Sequence, residues 1–285
     1  MESQGATSFF AVVLWLALAL PAGAQTLVFA PLPMQSLAQT QAANQPLADL
    51  LGDLLGRRVD MRLYPDHAEL LEGLARGEVD FAELGPLPLL MAKERMTTLT
   101  EVASFREPDG RAVYRCVLVA AVDGIRALTE LGPRLGQTTV ALTRAESTCG
   151  PTVTFSLLAD QGVDPALLAG QYHGTHDDVA LAVLRQLHPI GGMKESAARR
   201  FHDLGLRILG ASEPVPGFVL VSRTDGQLAA HDLENLQKAL LALDPDQRAG
   251  LQNGRHGFEP FDDRLQEHLQ AMRVFAAPYL RHVEP

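Results

Sequence analysis

Short apolar runs alternate along the chain with longer amphipathic stretches. Leu27-Val28-Phe29-Ala30 reads as a buried strand. Pro46 opens a helix whose Leu47, Leu50, Leu51, Leu54 and Leu55 share one face, up to the stop at Gly56. Val59, Met61 and Leu63 alternate with polar residues as a half-buried strand does. Asp66 and Glu69 mark an acidic helix start ahead of Leu70, Leu71 and Leu74, and Gly77 closes it before a strand from Val79 to Leu84. Strand, helix, strand, helix, strand in that order predicts a parallel sheet with right-handed crossovers.

A second unit repeats the scheme: strand Thr139 to Leu142, helix Thr152 to Gln161, a short strand near Gln171 to His173, and a helix from Asp177 to Gln186 that Thr175 can cap. Two apolar strands of similar make, Cys116 to Ala121 and Gly217 to Ser222, bracket it. If both cross between lobes, the α/β chain has two lobes joined by a two-strand hinge. Residues 25–118 and 220–285 form the first lobe, with helices between Leu228 and His282, and residues 119–219 form the second.

Composition bounds the function. With 47% hydrophobic and 20% charged residues over 285 positions, the chain is neither disordered nor of low complexity. The net charge of −10 and the lack of any Lys- or Arg-rich run speak against nucleic acid as a partner. Two cysteines, Cys116 and Cys149, are too few for a disulfide scaffold or a four-thiolate zinc site. The apolar run Phe9 to Leu20, followed by Pro21 and Ala22-Gly23-Ala24, reads as a secretion signal cleaved after residue 24. It is shorter than the roughly 20 residues a membrane span needs. The signal is atypical in carrying Glu2 and no basic residue at its start.

In open α/β sheets the ligand sits beyond the carboxyl ends of the strands, where helix amino-termini point into a crevice. Those loops are Ala30 to Gln35, Tyr64 to His67, Leu84 to Leu87, Ala145 to Gly150 and His173 to Asp177. The richest, Glu146-Ser147-Thr148-Cys149-Gly150, offers two hydroxyls, a thiol and several N–H donors just before a helix, which suits a compact tetrahedral anion. The plainer reading, that Ser147 and Thr148 only cap the helix, stands beside it. No Gly-x-Gly-x-x-Gly, Walker loop or His-Glu-x-x-His occurs, and no cofactor or metal is expected.

Six segments in order then resemble one family. They are Pro46 to Leu50, Tyr64 to Ala68, Gly77 to Ala82 with Gly85-Pro86, Ser147 to Gly150, Gly174 to Val183, and Ser212 to Pro216. Together they are similar to the phosphate/phosphite/phosphonate-binding proteins of bacterial ABC importers, across most of residues 27–225. The resemblance implies a type II periplasmic binding protein, each lobe a mostly parallel sheet flanked by helices. Such a protein is not an enzyme; it is a periplasmic monomer that closes on a small oxyanion and delivers it to a membrane permease. It places the anion loop on Ser147, Thr148, Cys149 and Gly150, a ligand histidine on His176, a hinge tyrosine on Tyr114, and His67 where the family often has tyrosine. Glu195 lies near a family carboxylate that can receive an amino or protonated group, although Leu187 to Gly192 departs from the family pattern.

Cys149 replaces the family's third loop serine, and Cys116, two residues from Tyr114 on one strand face, is expected near the base of the same cleft. Soft sulfurs there resemble the family's arsenite-sensing branch, whose partner is a histidine kinase. Two plainer readings remain open: Cys116 as a small buried hydrophobe, and an inter-lobe disulfide that locks the hinge. A third class, a thiol hydrolase with Cys149 as nucleophile and His176 as base, has no supporting signature around Cys149.

Overall fold

In the computed structural model, which describes residues 26–280, the elements follow in the order β1 (Leu27–Ala30), α1 (Leu37–Leu55), β2 (Val59–Met61), α2 (His67–Ala75), β3 (Phe81–Leu84), α3 (Pro86–Arg95), β4 (Leu99–Phe105), β5 (Val113–Tyr114), β6 (Cys116–Ala121), β7 (Thr139–Leu142), α4 (Val153–Asp160), β8 (Ala169–Tyr172), α5 (His176–Leu184), β9 (Ile190–Lys194), α6 (Glu195–Arg200), β10 (Leu206–Ala211), β11 (Val215–Pro216), β12 (Val219–Arg223), α7 (Ala230–Ala242), β13 (Phe258–Glu259) and α8 (Asp263–Leu280). The secretion signal expected over residues 1–24 lies outside the described residues. Among the described residues no helix is long and apolar enough to cross a membrane.

The strands form two large sheets of order β13-β4-β12-β3-β1-β2 and β10-β6-β9-β7-β8, each extended from a parallel core, and a separate two-stranded pair of β11 and β5. In the first, β1 pairs in parallel with β2 and β3, as the helix-length crossovers require. In the second, β7 does the same with β8 and β9. The remaining neighbours run antiparallel, because β12 returns from the second lobe to insert between β3 and β4, and β6 enters beside β9.

The crossing between lobes is shorter than the sequence suggests. Strands Cys116–Ala121 and Val219–Arg223 each lie wholly within one sheet, and the chain passes between lobes at the two-residue pair β5 and β11, where Tyr114 faces Val215 and Val113 faces Pro216. The reason is burial: all six residues of β6 are buried, with α4, α5 and α6 packed against it. A strand apolar on both faces must be covered on both faces, which a bare crossing cannot provide.

Helix α1 also starts earlier than Pro46. Ser36 accepts a hydrogen bond from the Gln39 amide while Gln39 Oε1 accepts from the Ser36 amide, a capping box that begins the helix at Leu37. Pro46 is carried inside it. The face with Leu47, Ala48 and Leu51 packs into the same cluster as Leu27, Phe29 and Phe81, and that burial outweighs the backbone bond the proline forfeits.

In the second lobe a π-helical turn over Thr148–Thr152 leads into α4. Thr154 donates its hydroxyl to the Cys149 carbonyl at 3.0 Å, and Gly192 on β9 lets Thr154 settle there, since a Cβ at 192 would run into the Thr154 hydroxyl. Gly150 is needed for the same kind of reason: a Cβ on it would press on the Arg144 carbonyl and the Thr143 hydroxyl. Cys149 is then disulfide-bonded to Cys116, with Cα atoms 5.2 Å apart and both residues buried. Both cysteines belong to the second lobe, so the inter-lobe lock is not formed. The bond ties the turn to β6 and leaves the hinge free.

One carboxylate is sunk in the first sheet. Glu83 on β3 is 1% exposed and accepts from Asn253 Nδ2 at 2.6 Å. Burial lifts its pKa from 4.5 to about 7, with Lys194 and the Asn253 bond pulling the other way.

Two outcomes are expected. The disulfide closes a loop across a sequence separation of 33 residues, for which chain entropy gives about 3–4 kcal/mol. A Cys116→Ser/Cys149→Ser double variant should therefore melt roughly 10 °C lower; a change within 1–2 °C would show the turn holds without the bond. For Glu83, the folded pKa lies above the unfolded one, so its contribution is complete below pH 4.5 and is lost as pH rises toward and through about 7. Glu83→Gln keeps the oxygen that accepts from Asn253, and its melting point should gain on the wild type between those pH values. A difference independent of pH would show that Glu83 ionises as it does in the unfolded chain.

Candidate functional site

Amino-termini of helices from both lobes meet where the lobes face each other. From the first lobe, His67 is the first residue of α2, behind an Asp66 cap that accepts from Glu69, and Pro86 is the first of α3, behind Gly85. From the second lobe, Ser147 precedes the turn into α4, and His176 is the first of α5, behind a Thr175 cap that accepts from Asp178. Each such end carries roughly half a positive charge from aligned peptide dipoles.

Two small adjoining chambers lie between them. One, of about 40 Å³, is walled by Leu32, Met34, His67, Gly85, Pro88, Tyr114, Glu146, Ser147, Thr148, Cys149, His176, Lys194 and Phe218. The other, of about 30 Å³, shares Met34, His67, Ser147 and His176 with it and adds Thr143, Arg144, Gly174 and Thr175. A larger cavity of about 500 Å³ lies elsewhere in the second lobe, beside Asp123, Glu130 and His188. It brings together no such set of helix ends.

The polar groups of the chambers are underused. His67 Nδ1 and Nε2, Thr143 Oγ1 and Arg144 Nε are all buried without a hydrogen-bond partner of good geometry, a condition that costs about 1–3 kcal/mol for each group. Ser147 makes no cap bond with its side chain. The plain capping reading therefore fails for Ser147, and Thr148 is engaged differently again: its hydroxyl accepts from the Leu87 amide at 3.1 Å, across the lobes. Pro86 and Pro88 have no N–H, so Leu87 carries the donor that the first turn of α3 has to place.

Two further contacts close the lobes. Arg144 donates to the Pro65 carbonyl at 3.2 Å, and Lys194 Nζ donates to Glu107 at 2.6 Å. That ammonium also stands 4.5 Å from the Tyr114 ring centre and 5.1 Å from that of Phe218.

Both histidines stay neutral near pH 7. Burial, then the Arg144 cation, lowers the His67 pKa to about 4, against weaker opposing pulls from the Glu146 backbone and Asp66. Burial, Lys194 and Arg200 lower that of His176 to about 3. His176 Nδ1 accepts from the Lys194 amide at 3.3 Å, which leaves Nε2 to carry the ring proton and donate it. Burial also raises the Tyr114 phenol well above its usual range, against the pull of its bond with Thr148.

The structure thus brings Tyr114, His67, Ser147, Thr148, Cys149 and His176 into one cleft. Gly150 and Cys116 do not line it; they sit behind the turn, one as the tight backbone joint and the other as its covalent anchor. Glu195 does not line it either, because it begins α6 and pairs with Arg199 outside. The residue that enters is its neighbour Lys194, which sequence reasoning missed along with Arg144, Glu107 and Phe218. The signal was there in faint form: Ile190 to Lys194 is a strand whose two glycines disguise it. In the disulfide-bonded form neither cysteine carries a free thiol, the group on which both the arsenite reading through Cys116 and Cys149 and the hydrolase reading through Cys149 call.

Comparison with known proteins follows the same lines. The family described as "ABC transporter, phosphonate, periplasmic substrate-binding protein" matches residues 29–265. A curated relative, the "Phosphate-import protein PhnD" of Mycolicibacterium smegmatis, is 25% identical over 170 residues, covering 56% of this chain and 52% of the relative, so the match spans about half of that protein's length. Among solved structures, XAC2383 from Xanthomonas citri bound to chloride superposes with a TM-score of 0.75 at 21% identity, over 90% of this chain and 99% of that one. PhnD1 from Prochlorococcus marinus in complex with methylphosphonate gives 0.75 at 14% identity, over 89% and 98%. At those identities the structures establish a shared two-lobed α/β fold. With the family match across residues 29–265, the chain belongs to the phosphonate family of periplasmic substrate-binding proteins of ABC transporters.

Proposed function

We propose that this chain captures a small tetrahedral oxyanion of the phosphonate, phosphite and phosphate class in the periplasm and presents it to an ABC permease. One observation carries the reading: buried donors without partners converge under the positive ends of helices from both lobes. An oxyanion would satisfy them with its oxygens. The Ser147 hydroxyl, the amides of the following turn, the His176 Nε2–H and Arg144 would donate; His67 would donate from one ring nitrogen. The task is binding, and no step of bond making is required of these groups. Support also comes from the relatives: one is named for phosphate import and another holds methylphosphonate.

The three inter-lobe contacts suggest how capture works. Thr148 to Leu87, Arg144 to Pro65 and Lys194 to Glu107 all form only when the lobes meet. A ligand that bridges the lobes adds its own bonds to theirs and stabilises the closed form. A permease could then distinguish loaded from empty protein by shape.

Calorimetry with phosphate, phosphite and methylphosphonate should give saturable heat with at least one of them. That ligand should also raise the melting point, by an amount equivalent to about 2.7 kcal/mol at a hundredfold excess over its Kd. Ser147→Ala removes a hydrogen bond to a charged group worth about 1.5–3 kcal/mol, so affinity should drop roughly 10- to 100-fold. Absence of heat from all three anions would refute the proposal.

A further inference from the structure

We propose that Lys194 and Arg144 make this cleft select a compact oxyanion and reject one that carries an ammonium group. The inference rests on the oxyanion reading and adds the class of substituent that the site excludes.

The argument starts from space. A water needs about 10–15 Å³ on the measure by which the chambers hold 40 and 30 Å³. A tetrahedral headgroup at Ser147 and His176, the wall common to both, leaves room for a substituent in only two directions. One leads toward Tyr114, Phe218 and Lys194, the other toward Thr143, Gly174 and Arg144. Each therefore ends on a cation.

Neither cation can swing away freely. Lys194 is held by Glu107 at 2.6 Å and stacked over two rings; Arg144 is held at the Pro65 carbonyl and has its Nε buried. The seats that an ammonium guest would want are already taken. The faces of Tyr114 and Phe218 receive the Lys194 ammonium, Glu107 is its partner, and Glu83 is bonded by Asn253. Glu146 is the carboxylate that does line the first chamber, at its half-exposed side. A guest amine that reached it would still have to pass the helix ends that favour negative charge.

Titration with phosphite, methylphosphonate, propylphosphonate and 2-aminoethylphosphonate tests this directly. Propylphosphonate has a methyl where aminoethylphosphonate has its ammonium and the same number of heavy atoms, so the ratio of the two reads the charge. Like-charge juxtaposition is strongly unfavourable, and aminoethylphosphonate should bind at least about 100-fold more weakly than propylphosphonate. Lys194→Gln and Arg144→Gln should each weaken every anion yet narrow that ratio, in at least one of the two to within about tenfold. Melting curves of both variants with and without methylphosphonate identify any that fail to fold, and the wild-type ratio stands without them. Equal or tighter binding of aminoethylphosphonate overturns the inference, and its loss in Glu146→Gln would then locate the amine. If no anion of the set binds, the oxyanion reading itself falls; if the simple anions bind and the ratio is near one, only this inference does.

Discussion

Helix amino-termini in a water-poor cleft cannot be left as they are. Each presents amides and a fraction of positive charge, and here α2, α3, α5 and the turn into α4 present theirs to a common space from two different sheets. Among the neighbouring side chains His67 and His176 are neutral, Arg144 adds to that field, Lys194 is paired with Glu107, and Glu146 is a carboxylate in the wall. Most helix ends are quieted by a capping side chain. In this cleft Asp66 and Thr175 cap their own helices, while Ser147, Thr143, Arg144 and His67 retain unused capacity. A fold tolerates such a deficit where a ligand supplies the missing partners.

That arrangement depends on a turn being held still. The loop from Ser147 to Thr152 has a π-helical course with a proline inside it, and its own backbone bonds would not fix it. Three devices beneath it do: the disulfide to β6, the Thr154 hydroxyl on the Cys149 carbonyl, and the close seat of α4 on Gly192 of β9. All belong to the second lobe. The loop is therefore fixed to that lobe, and its Thr148 contact with Leu87, like that of nearby Arg144 with Pro65, spans the cleft. Cys149 thus serves as an anchor toward the sheet.

Lys194 links the two themes. Its Nζ is part of the cleft wall, its partner Glu107 lies in the other lobe, and its ring contacts are to Tyr114 and Phe218 beside the crossing strands. Buried Glu83 feels the same charge. An ion pair so placed contributes little as an isolated bond once desolvation is counted. Its value is in direction, because it can form only with the lobes together.

Much of this was legible in the chain. The period-two and period-3.6 runs located β1, β2, β3, β7 and most of their helices, and the five loops after the strands all reached the cleft, because strand polarity alone decides which end of a parallel sheet gathers the helix amino-termini. Local capping chemistry at Asp66 and Thr175 was equally plain. The start of α1 at Ser36 was also written in a local capping box, yet Pro46 drew the boundary to itself. What tertiary structure decided was everything that compares one lobe with the other or one residue with its neighbour. Whether Cys116 and Cys149 would face each other turns on where the turn over Thr148–Thr152 lies against β6, the short crossing on the pairing of β5 with β11, and the entry of Lys194 rather than Glu195 on the register of β9 against β6. A one-residue shift in a strand reverses every side chain, and that register is set by packing of Gly191 and Gly192 under α4 and α5, which no local pattern records.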